Sequence, residues 1–343
     1  MSLLEWSSVA HTVEYAGLVL SVTVNSTLAF LILTKSRKGL GSYKYLMLSF
    51  AFFGIFFSLV DAFTEPTIHT YGTTFMVFTI LSKYGLTKTQ GAVSCALYCS
   101  CFCMTLALLA IHFLYRYFAV CKQDGLRLFK GYNIFIWPVV VIFLGSDWGL
   151  TSFFLEGETT ESSEYVNATI WEHFALRMDE IGYVGPHYFV HNEKGERVYN
   201  WPSCIGMVNL LKIMGMSFSV VFYCGISTSL AMKEHGETKT QRTRELQAQL
   251  FRALVVQTMI PVVFMYLPVG ILFISPFFEV ELGAPTSFVA ITLALYPVLD
   301  PMAVIFFIQD YRKALLRGLC GCFCKTRPNQ HSTTISSTVR NTL

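Results

Sequence analysis

Charged side chains are scarce in this sequence. Aspartate, glutamate, lysine and arginine together make up 14% of its 343 residues, whereas hydrophobic residues make up 53%. Soluble domains carry roughly 25% charged residues, so this chain has too few of them to cover a surface that faces water. One uncharged stretch extends from Gly91 to Tyr115 and contains 25 residues. The composition therefore excludes a water-soluble globular protein.

The sequence also lacks clustered metal ligands, repeated halves and pore-lining charges. Its eight histidines are scattered and lie mostly in loops, which argues against a metal-dependent membrane hydrolase. A channel or transporter is expected to show inverted repeats or charges along a pore. We therefore expect no enzymatic activity, no metal, no cofactor and no nucleic-acid partner.

The N-terminus lacks the features of a cleaved signal peptide. Among the first ten residues only Glu5 is charged, and no basic segment precedes the first hydrophobic run. A cleavage site with small residues is not evident after Leu33. We expect the first run to serve as an uncleaved anchor.

Long hydrophobic runs dominate what the sequence does contain. About 20 apolar residues are needed for a helix to cross roughly 30 Å of hydrocarbon. Because lipid offers the backbone no hydrogen-bond partners, such runs must be helical. The predicted fold class is an all-α integral membrane protein, a bundle of seven transmembrane helices. The seven runs are Val13–Leu33, Tyr45–Thr64, Ala92–Val120, Ile134–Leu155, Cys204–Met232, Ala253–Phe278 and Pro285–Ile308.

Lysine and arginine are distributed unevenly between the segments that join these runs. Of the 25 such residues, 18 lie in the first, third and fifth connections or after the last run, and five lie in the other connections. The remaining two, Arg116 and Lys212, lie within runs. Because cytoplasmic loops are enriched in these residues, the pattern predicts an outer N-terminus and a cytoplasmic C-terminus.

Two outer connections contain features of their own. Residues 156–203 hold nine acidic and three basic residues, and Asn167 begins a glycosylation acceptor, Asn-Ala-Thr. The stretch Thr74–Leu81 is too short to span a membrane and is predicted to be a strand or lid segment. Residues Tyr188–Trp201 are predicted to form a hairpin that turns at Lys194-Gly195.

The chain is predicted to consist of a seven-transmembrane domain, residues 1–318, and a cytoplasmic tail, residues 319–343. Ile308–Arg317 has the pattern of a short amphipathic helix lying on the membrane. Cys320, Cys322 and Cys324 follow at the lipid interface, where we expect palmitoylation. A zinc site is the alternative, but a fourth ligand is missing. The final residues are rich in serine and threonine and are predicted to be disordered.

Five phrases of the sequence, taken in order along the chain, carry a family resemblance. They are LGSYKYLML (Leu40–Leu48), HFLYRYFAVCK (His112–Lys122), VVFYCG (Val220–Gly225), LFRALVVQTMIPVVFMYLPVG (Leu250–Gly270) and LYPVLDPMAVIFFIQDYR (Leu295–Arg312). Together they resemble the nematode Str-type serpentine chemoreceptors, a family that includes the diacetyl odorant receptor. The resemblance runs from about Leu40 to Arg312 and implies a G-protein-coupled receptor with seven helices.

The resemblance also assigns expected roles to individual residues. Arg116 is expected at the cytoplasmic mouth, with Tyr117 beside it and His112 one turn above, to contact the C-terminal helix of a G protein. The alternatives are that Arg116 only extends to lipid headgroups and that His112 is a packing residue. Unlike rhodopsin-like receptors, the chain has Tyr115, not an acid, before the arginine. It also has Tyr266 where those receptors have tryptophan.

Cysteine positions raise the question of a disulfide. Cys99, Cys101 and Cys103 are interpreted as small apolar residues. Cys204 lies at the outer end of the fifth run, in oxidising space. Rhodopsin-like receptors bridge the adjoining loop to a cysteine at the position of Gly91. The resemblance therefore implies a Cys95–Cys204 bridge, with Cys99 as the other possible partner.

Lys212, Asp147 and Asp300 are charged residues inside hydrophobic runs, and each needs a partner there. An unpaired charge in the membrane is costly, so we expect Lys212 to pair with Asp147 and to line a cavity. The alternative is that the fifth run starts later and Lys212 extends outward. Asp300 is expected, from the resemblance, to belong to a polar network of the seventh helix.

The predicted function is chemosensory. We expect a small odorant to bind in the outer half of the bundle and a heterotrimeric G protein to bind at the inner end, in the plasma membrane and specifically the ciliary membrane of a sensory neuron. A peptide receptor is the alternative, since the acidic 156–203 loop suits a basic peptide. The expected ligand-binding residues, chosen by depth, are Tyr98, Phe102, Lys212, Phe218, Tyr266 and Phe273. Membrane lipid is the remaining expected partner.

Overall fold

The structure is a computed structural model that describes residues 3–36, 40–192, 194–234, 241–280, 282–283 and 285–324. Within these residues, seven helical segments are long and apolar enough to cross a membrane. They agree with the seven predicted runs to within several residues at each end. The chain therefore forms the expected seven-helix bundle.

The spans are built from eight of the ten helices that the structure describes. Six spans are single helices. Among them α3 lies at the centre, since 83% of its most apolar window is buried, whereas the figure for the fourth span is 22%. The sixth span combines α7 (Gln241–Pro261), a π-helical turn (Val262–Tyr266) and α8 (Leu267–Ile274). The others are α1 (Leu3–Lys35), α2 (Tyr43–Thr64), α3 (Lys88–Val120), α4 (Ile136–Phe154), α6 (Trp201–Glu234) and α9 (Pro285–Phe307).

Local signals in the sequence explain where α3 starts and where the sixth span changes geometry. Thr87 accepts a hydrogen bond from the Gln90 backbone N–H, and the Gln90 side chain accepts one from the Thr87 N–H, which is a capping box. In the sixth span, Pro261 lacks a backbone donor, and the π-helical turn follows it directly. Such turns interrupt the regular helical bonding and are frequent at functional sites.

A folded lid covers one end of the bundle, called here the lid end. It consists of a three-stranded antiparallel sheet and the helix α5 (Thr160–Phe174). The strands, in sheet order, are β1 (Thr67–Tyr71), β2 (Thr74–Ile80) and β3 (Ile181–Val184). A separate hairpin of β4 (Phe189–His191) and β5 (Arg197–Tyr199) lies beside the lid. The expected strand and the expected hairpin are both present.

The side chains of β2 alternate between the two faces of the sheet. Phe75 and Val77 pack with the bundle core, whereas Met76 and Phe78 pack against α5, where they meet Ile170. This period of two is a property of any strand. Because both faces are covered, the four consecutive residues from Phe75 to Phe78 are all apolar, and the lid closes tightly over the bundle.

The last helix, α10 (Gln309–Cys324), leaves α9 almost directly. The hydroxyls of Tyr311 and Ser36 are 2.7 Å apart, which attaches α10 to the end of α1. The helix continues six residues beyond the predicted domain limit at residue 318. The side chains of Cys320, Cys322 and Cys324, and the whole of the tail from residue 325, lie outside the described residues, so palmitoylation stays a prediction.

Candidate ligand cavity and coupling site

A small cavity lies between the lid and the helices, at the lid end of the bundle. Its volume is about 60 Å³. Strands β1 and β2 form its roof, α3 and α4 form one wall, and α6, α8 and α9 form the other. Its lining residues are Ile68, Phe75, Val77, Tyr98, Cys99, Phe102, Trp148, Ser152, Glu156, Val184, Gly185, Leu210, Val269, Leu272, Phe273 and Leu293.

Three of the six residues expected to bind ligand line this cavity. These are Tyr98, Phe102 and Phe273. Tyr266 and Phe218 lie one layer away: their ring centroids are 4.5 Å apart, and Tyr266 meets the ring of Phe102 at 6.1 Å. The pair therefore supports the cavity wall instead of forming it.

Lys212 does not line the cavity, contrary to expectation. Its side chain is exposed on the outer surface of α6, and its Nζ donates to Asn209 Oδ1 at 2.6 Å. Asn209 in turn donates to Asp147 Oδ2 at 3.1 Å, so the expected ion pair is replaced by a chain of three polar groups. Depth along a helix does not determine which face of the helix a residue occupies, and Leu210 is the residue of α6 that turns inward.

Sequence reasoning missed the two residues that give the cavity its polarity and much of its aromatic wall. Trp148 packs against Phe102 with ring centroids 5.6 Å apart. Glu156 is buried, and its Oε1 has no hydrogen-bond partner. Burial raises the pKa of Glu156 to about 8. In the sequence Glu156 belongs with the loop acids, because it follows α4 by two residues; only the lid folding back over it buries it.

The expected Cys95–Cys204 bridge is not formed, because both thiols are free. The Cys95 thiol donates to the Gly182 carbonyl at 3.6 Å, and that of Cys204 lies 3.9 Å from the Tyr188 carbonyl. Strand β3 lies directly against the start of α3, where a Cβ atom on Gly182 would be 2.8 Å from the Cα of Gly91. A close contact between two glycines therefore holds the loop where a bridge was expected, and Cys99 is free as well.

Arg116 lies at the opposite end of the bundle, called here the arginine end. It is 2% exposed, and its guanidinium stacks on the ring of Tyr43 at 3.8 Å from the centroid. Its Nη1 donates to Gln247 Oε1 on α7 at 2.9 Å, while Nε and Nη2 have no hydrogen-bond partner among the described residues. We call Arg116, Tyr43 and Gln247 the latch. Arg116 is thus held inside the bundle and does not extend to headgroups.

Some residues at the arginine end line an open cavity, and others only pack against neighbouring helices. A cavity of about 320 Å³ at the arginine end is lined by all three latch residues. His112 is buried and meets Tyr43 through a 3.3 Å contact between the hydroxyl and Nδ1, which favours a packing role. Tyr117 faces away from the cavity and packs on Tyr223 of α6, with ring centroids 5.8 Å apart.

Asp300 occupies the middle of the bundle between the two ends. It is buried, and its Oδ2 accepts a hydrogen bond from Gln257 Nε2 at 2.8 Å. This bond links α9 to α7, the helix that carries Gln247. Nearby, Asn25 of α1 donates to the Pro297 carbonyl at 2.9 Å, an acceptor that lacks its helical donor because Pro301, four residues later, has no backbone N–H. Polar side chains therefore connect the helices that join the cavity to the latch.

Comparison with known proteins agrees with this arrangement. Residues 10–316 match the protein family described as Serpentine type 7TM GPCR chemoreceptor Str. The chain is similar to "Serpentine receptor class r-10" of Caenorhabditis elegans, with 36% identity over 317 residues and 92% of each chain covered. It is 24% identical over 314 residues to "G-protein coupled receptor str-33" of the same organism, covering 91% of each.

Among solved structures, the fold is similar to that of squid rhodopsin. The TM-score is 0.61, and the match covers 96% of this chain and 84% of that chain. Sequence identity is only 12%, so the likeness concerns the arrangement of the helices alone.

Proposed function

The chain belongs to the Str family of serpentine seven-transmembrane chemoreceptors, and from that membership we propose that it binds a small odorant beneath the lid and activates a heterotrimeric G protein at the arginine end. Membership makes it a multi-pass membrane receptor of the G-protein-coupled type rather than an enzyme. The observation that carries the proposal is the covered apolar cavity at one end and the buried, unneutralised arginine at the other.

The size and lining of the cavity support a compact ligand. A volume of about 60 Å³ admits only a few non-hydrogen atoms, and most lining side chains are apolar or aromatic. Such ligands gain at most about 1.5 kcal/mol per non-hydrogen atom, so we expect micromolar or weaker potency. A volatile carbonyl compound has these properties.

The arginine end supports the coupling step. Arg116 has no acidic partner among the described residues and is held by one neutral hydrogen bond and one ring contact. Displacing α7 breaks the hydrogen bond and exposes the guanidinium to the adjoining cavity. A cation exposed there can bind the carbonyls at the C-terminal end of a G-protein helix.

Orientation and location are part of the proposal. Placing the lid outside puts 18 of 25 lysines and arginines on the cytoplasmic side, as bilayer insertion favours. It also exposes Asn167 on the outer surface of α5. We propose the plasma membrane, in the ciliary membrane of a sensory neuron, as the location, with α10 resting on the inner lipid surface.

Asn167→Gln tests this orientation. We expect the variant to lose one glycan and to migrate faster on a gel than the unaltered receptor from the same cells. Asn167, and not Thr169 of the same glycosylation acceptor, is the residue to alter. Asn167 is exposed, whereas the Thr169 hydroxyl lies 3.2 Å from His69 Nε2 and supports the lid. Asn133→Gln, at the arginine end, should cause no change in migration. Antibody access to a C-terminal tag on intact cells would contradict the proposed orientation.

A screen of volatile and peptide compounds tests the function itself. The receptor is expressed with a G protein, and calcium or cyclic nucleotide is measured as each compound is added. Activation by a small apolar compound is expected. A nanomolar peptide agonist whose effect disappears when residues 156–203 are shortened would instead favour the peptide receptor.

Gln247→Glu tests the latch. A carboxylate beside Arg116 replaces a neutral hydrogen bond by a charged one, which stabilises the resting state by about 1 kcal/mol more. Basal G-protein nucleotide exchange should therefore fall about fivefold.

Two further variants complete the test of the latch. Gln249→Glu makes the same change two residues along α7, where the side-chain oxygen accepts from the Gln309 backbone N–H at 3.3 Å instead of from Arg116. Because a carboxylate retains that acceptor, basal exchange should stay unaltered. Tyr43→Leu removes the ring contact and should raise basal exchange; a decrease there would show that the latch does not restrain the receptor.

A further inference from the structure

Glu156 occupies an unusual position at the junction of α4, α6 and the lid. It forms part of the wall of the ligand cavity and is 3% exposed. Its backbone is fixed to the lid, since its carbonyl accepts a hydrogen bond from the Gly185 N–H at 2.7 Å. On α6, Gly206 leaves room for the carboxyl group, since a Cβ atom at this position would be 3.0 Å from Oε1, which is closer than ordinary van der Waals contact.

The hydrogen-bonding capacity of Glu156 is not used by the protein. Its Oε1 is buried without a partner, and no ion pair between Glu156 and a described lysine, arginine or histidine is formed. The nearby cation Lys88 is occupied by Glu158 at 2.6 Å. The ring of Tyr98 lines the same cavity, but its hydroxyl lies on the side of Asp61 and Glu14. Buried polar groups normally have hydrogen-bond partners, so the orphan carboxyl of Glu156 in the cavity wall points to a ligand that supplies its partner.

We propose that Glu156, in its protonated form, is the hydrogen-bond donor that recognises the ligand, and that the ligand is a small neutral molecule with an acceptor oxygen. This inference rests on the proposed function, since it specifies the ligand of the same cavity. A carboxylic acid donates an O–H bond, and a carbonyl or ether oxygen accepts it. Because an apolar molecule leaves this donor unsatisfied, the cavity selects for the oxygen.

The surroundings of Glu156 favour the protonated form. The titratable groups that face it are Cys99 from α3 and Tyr188 from the lid, and neither is a cation. The α6 wall presents Gly206, and α8 and α9 present apolar side chains. Burial therefore raises the pKa of Glu156 to about 8. At pH 7 the carboxyl is mostly neutral and donates, and above pH 8 it is ionised and repels an acceptor.

Binding by the purified full-length receptor tests the inference without requiring G-protein activation. The probes are butanone, n-butylamine and n-pentane, which have equal numbers of non-hydrogen atoms, and the readout is ligand-dependent thermal stabilisation. At pH 7 we expect butanone to stabilise the receptor and the other two to have little effect. Apparent butanone affinity should weaken about tenfold between pH 7 and pH 9.

Two substitutions of Glu156 separate donation from packing. Glu156→Gln retains a donor that does not titrate, so butanone binding should persist and become independent of pH. Glu156→Met removes the donor at similar size, and affinity should fall at least tenfold, the equivalent of about 1.4 kcal/mol. Lys212→Met, on the outer surface of α6, serves as the control and should leave affinity unchanged.

Three results of these binding experiments would contradict the inference. Preference for n-butylamine, no stabilisation by butanone, or butanone binding that Glu156→Met does not weaken would overturn the inference. If Glu156→Met does not fold, a pH dependence retained in Glu156→Gln would overturn it as well. Butanone binding without G-protein activation would leave this inference standing and contradict the proposed function.

Discussion

Arg116→Ala is expected to abolish agonist-stimulated G-protein activation while the receptor still reaches the cell surface. The guanidinium forms no ion pair with a described acid, so its removal leaves no buried carboxylate unneutralised. The folding cost is limited to one hydrogen bond and one ring contact. In contrast, the proposed function requires the guanidinium, once exposed by displacement of α7, to supply the cation for coupling. We expect activation to fall at least a hundredfold in a nucleotide-exchange assay.

The matched control is Arg127→Ala. Arg127 lies on the same side of the bundle, is largely exposed and pairs with Asp124 at 3.5 Å. Exposed pairs of this kind contribute roughly 0–1 kcal/mol, so activation and expression should both be unaltered. Normal signalling by Arg116→Ala would show that the arginine serves only to pack the helix end. The affinity of Arg116→Ala for the ligand should match that of the unaltered receptor, since the cavity lies at the lid end.

Val269→Phe is expected to eliminate the agonist response by filling the ligand cavity. Val269 lies on α8 and lines the cavity, whose volume of about 60 Å³ is comparable with the size of the added ring atoms. Overpacking a closed site forces neighbouring side chains to move, and the ligand loses its space. We expect the half-maximal agonist concentration to rise at least a hundredfold, or about 2.8 kcal/mol, with basal activity preserved.

Ile271→Phe, two residues further along α8, provides the control. Ile271 is 54% exposed and faces lipid, so a larger apolar side chain there should change neither binding nor signalling. The agonist responses of the two variants are compared by dose–response curves normalised to surface expression. An unchanged curve for Val269→Phe would place the ligand outside the cavity.

Much of the architecture could be predicted from hydrophobic patterning. The seven spans follow from chain segments long enough to cross a bilayer, since each must satisfy its backbone hydrogen bonds internally. Strand β2 was detectable because Thr74–Leu81 is apolar yet too short for a span. The hairpin near Lys194-Gly195 was detectable because glycine favours the tight turn there, at a φ of +75°.

The site was harder to predict, because its composition depends on how helices rotate and how the lid folds. Depth along the chain selected Tyr98, Phe102 and Phe273, which line the cavity, but also Lys212, which faces outward. The partners of Arg116 come from α2 and from α7, which are 73 residues before it and 131 residues after it in sequence. Their contacts are set by helix packing, which leaves no local pattern.

The sequence by itself determined the number of spans, the sidedness of basic charge and the family, because these depend on composition and on residues read in order. Only the tertiary structure decided what Glu156, Gly91 and Cys204 do. A carboxylate in an acidic loop becomes a buried cavity group because β3 folds back against α3 and α4. The same approach of β3 brings Gly182 onto Gly91 and makes a close backbone contact where a disulfide was expected. Such roles arise from long-range packing, which places residues distant in sequence within a few ångströms of each other.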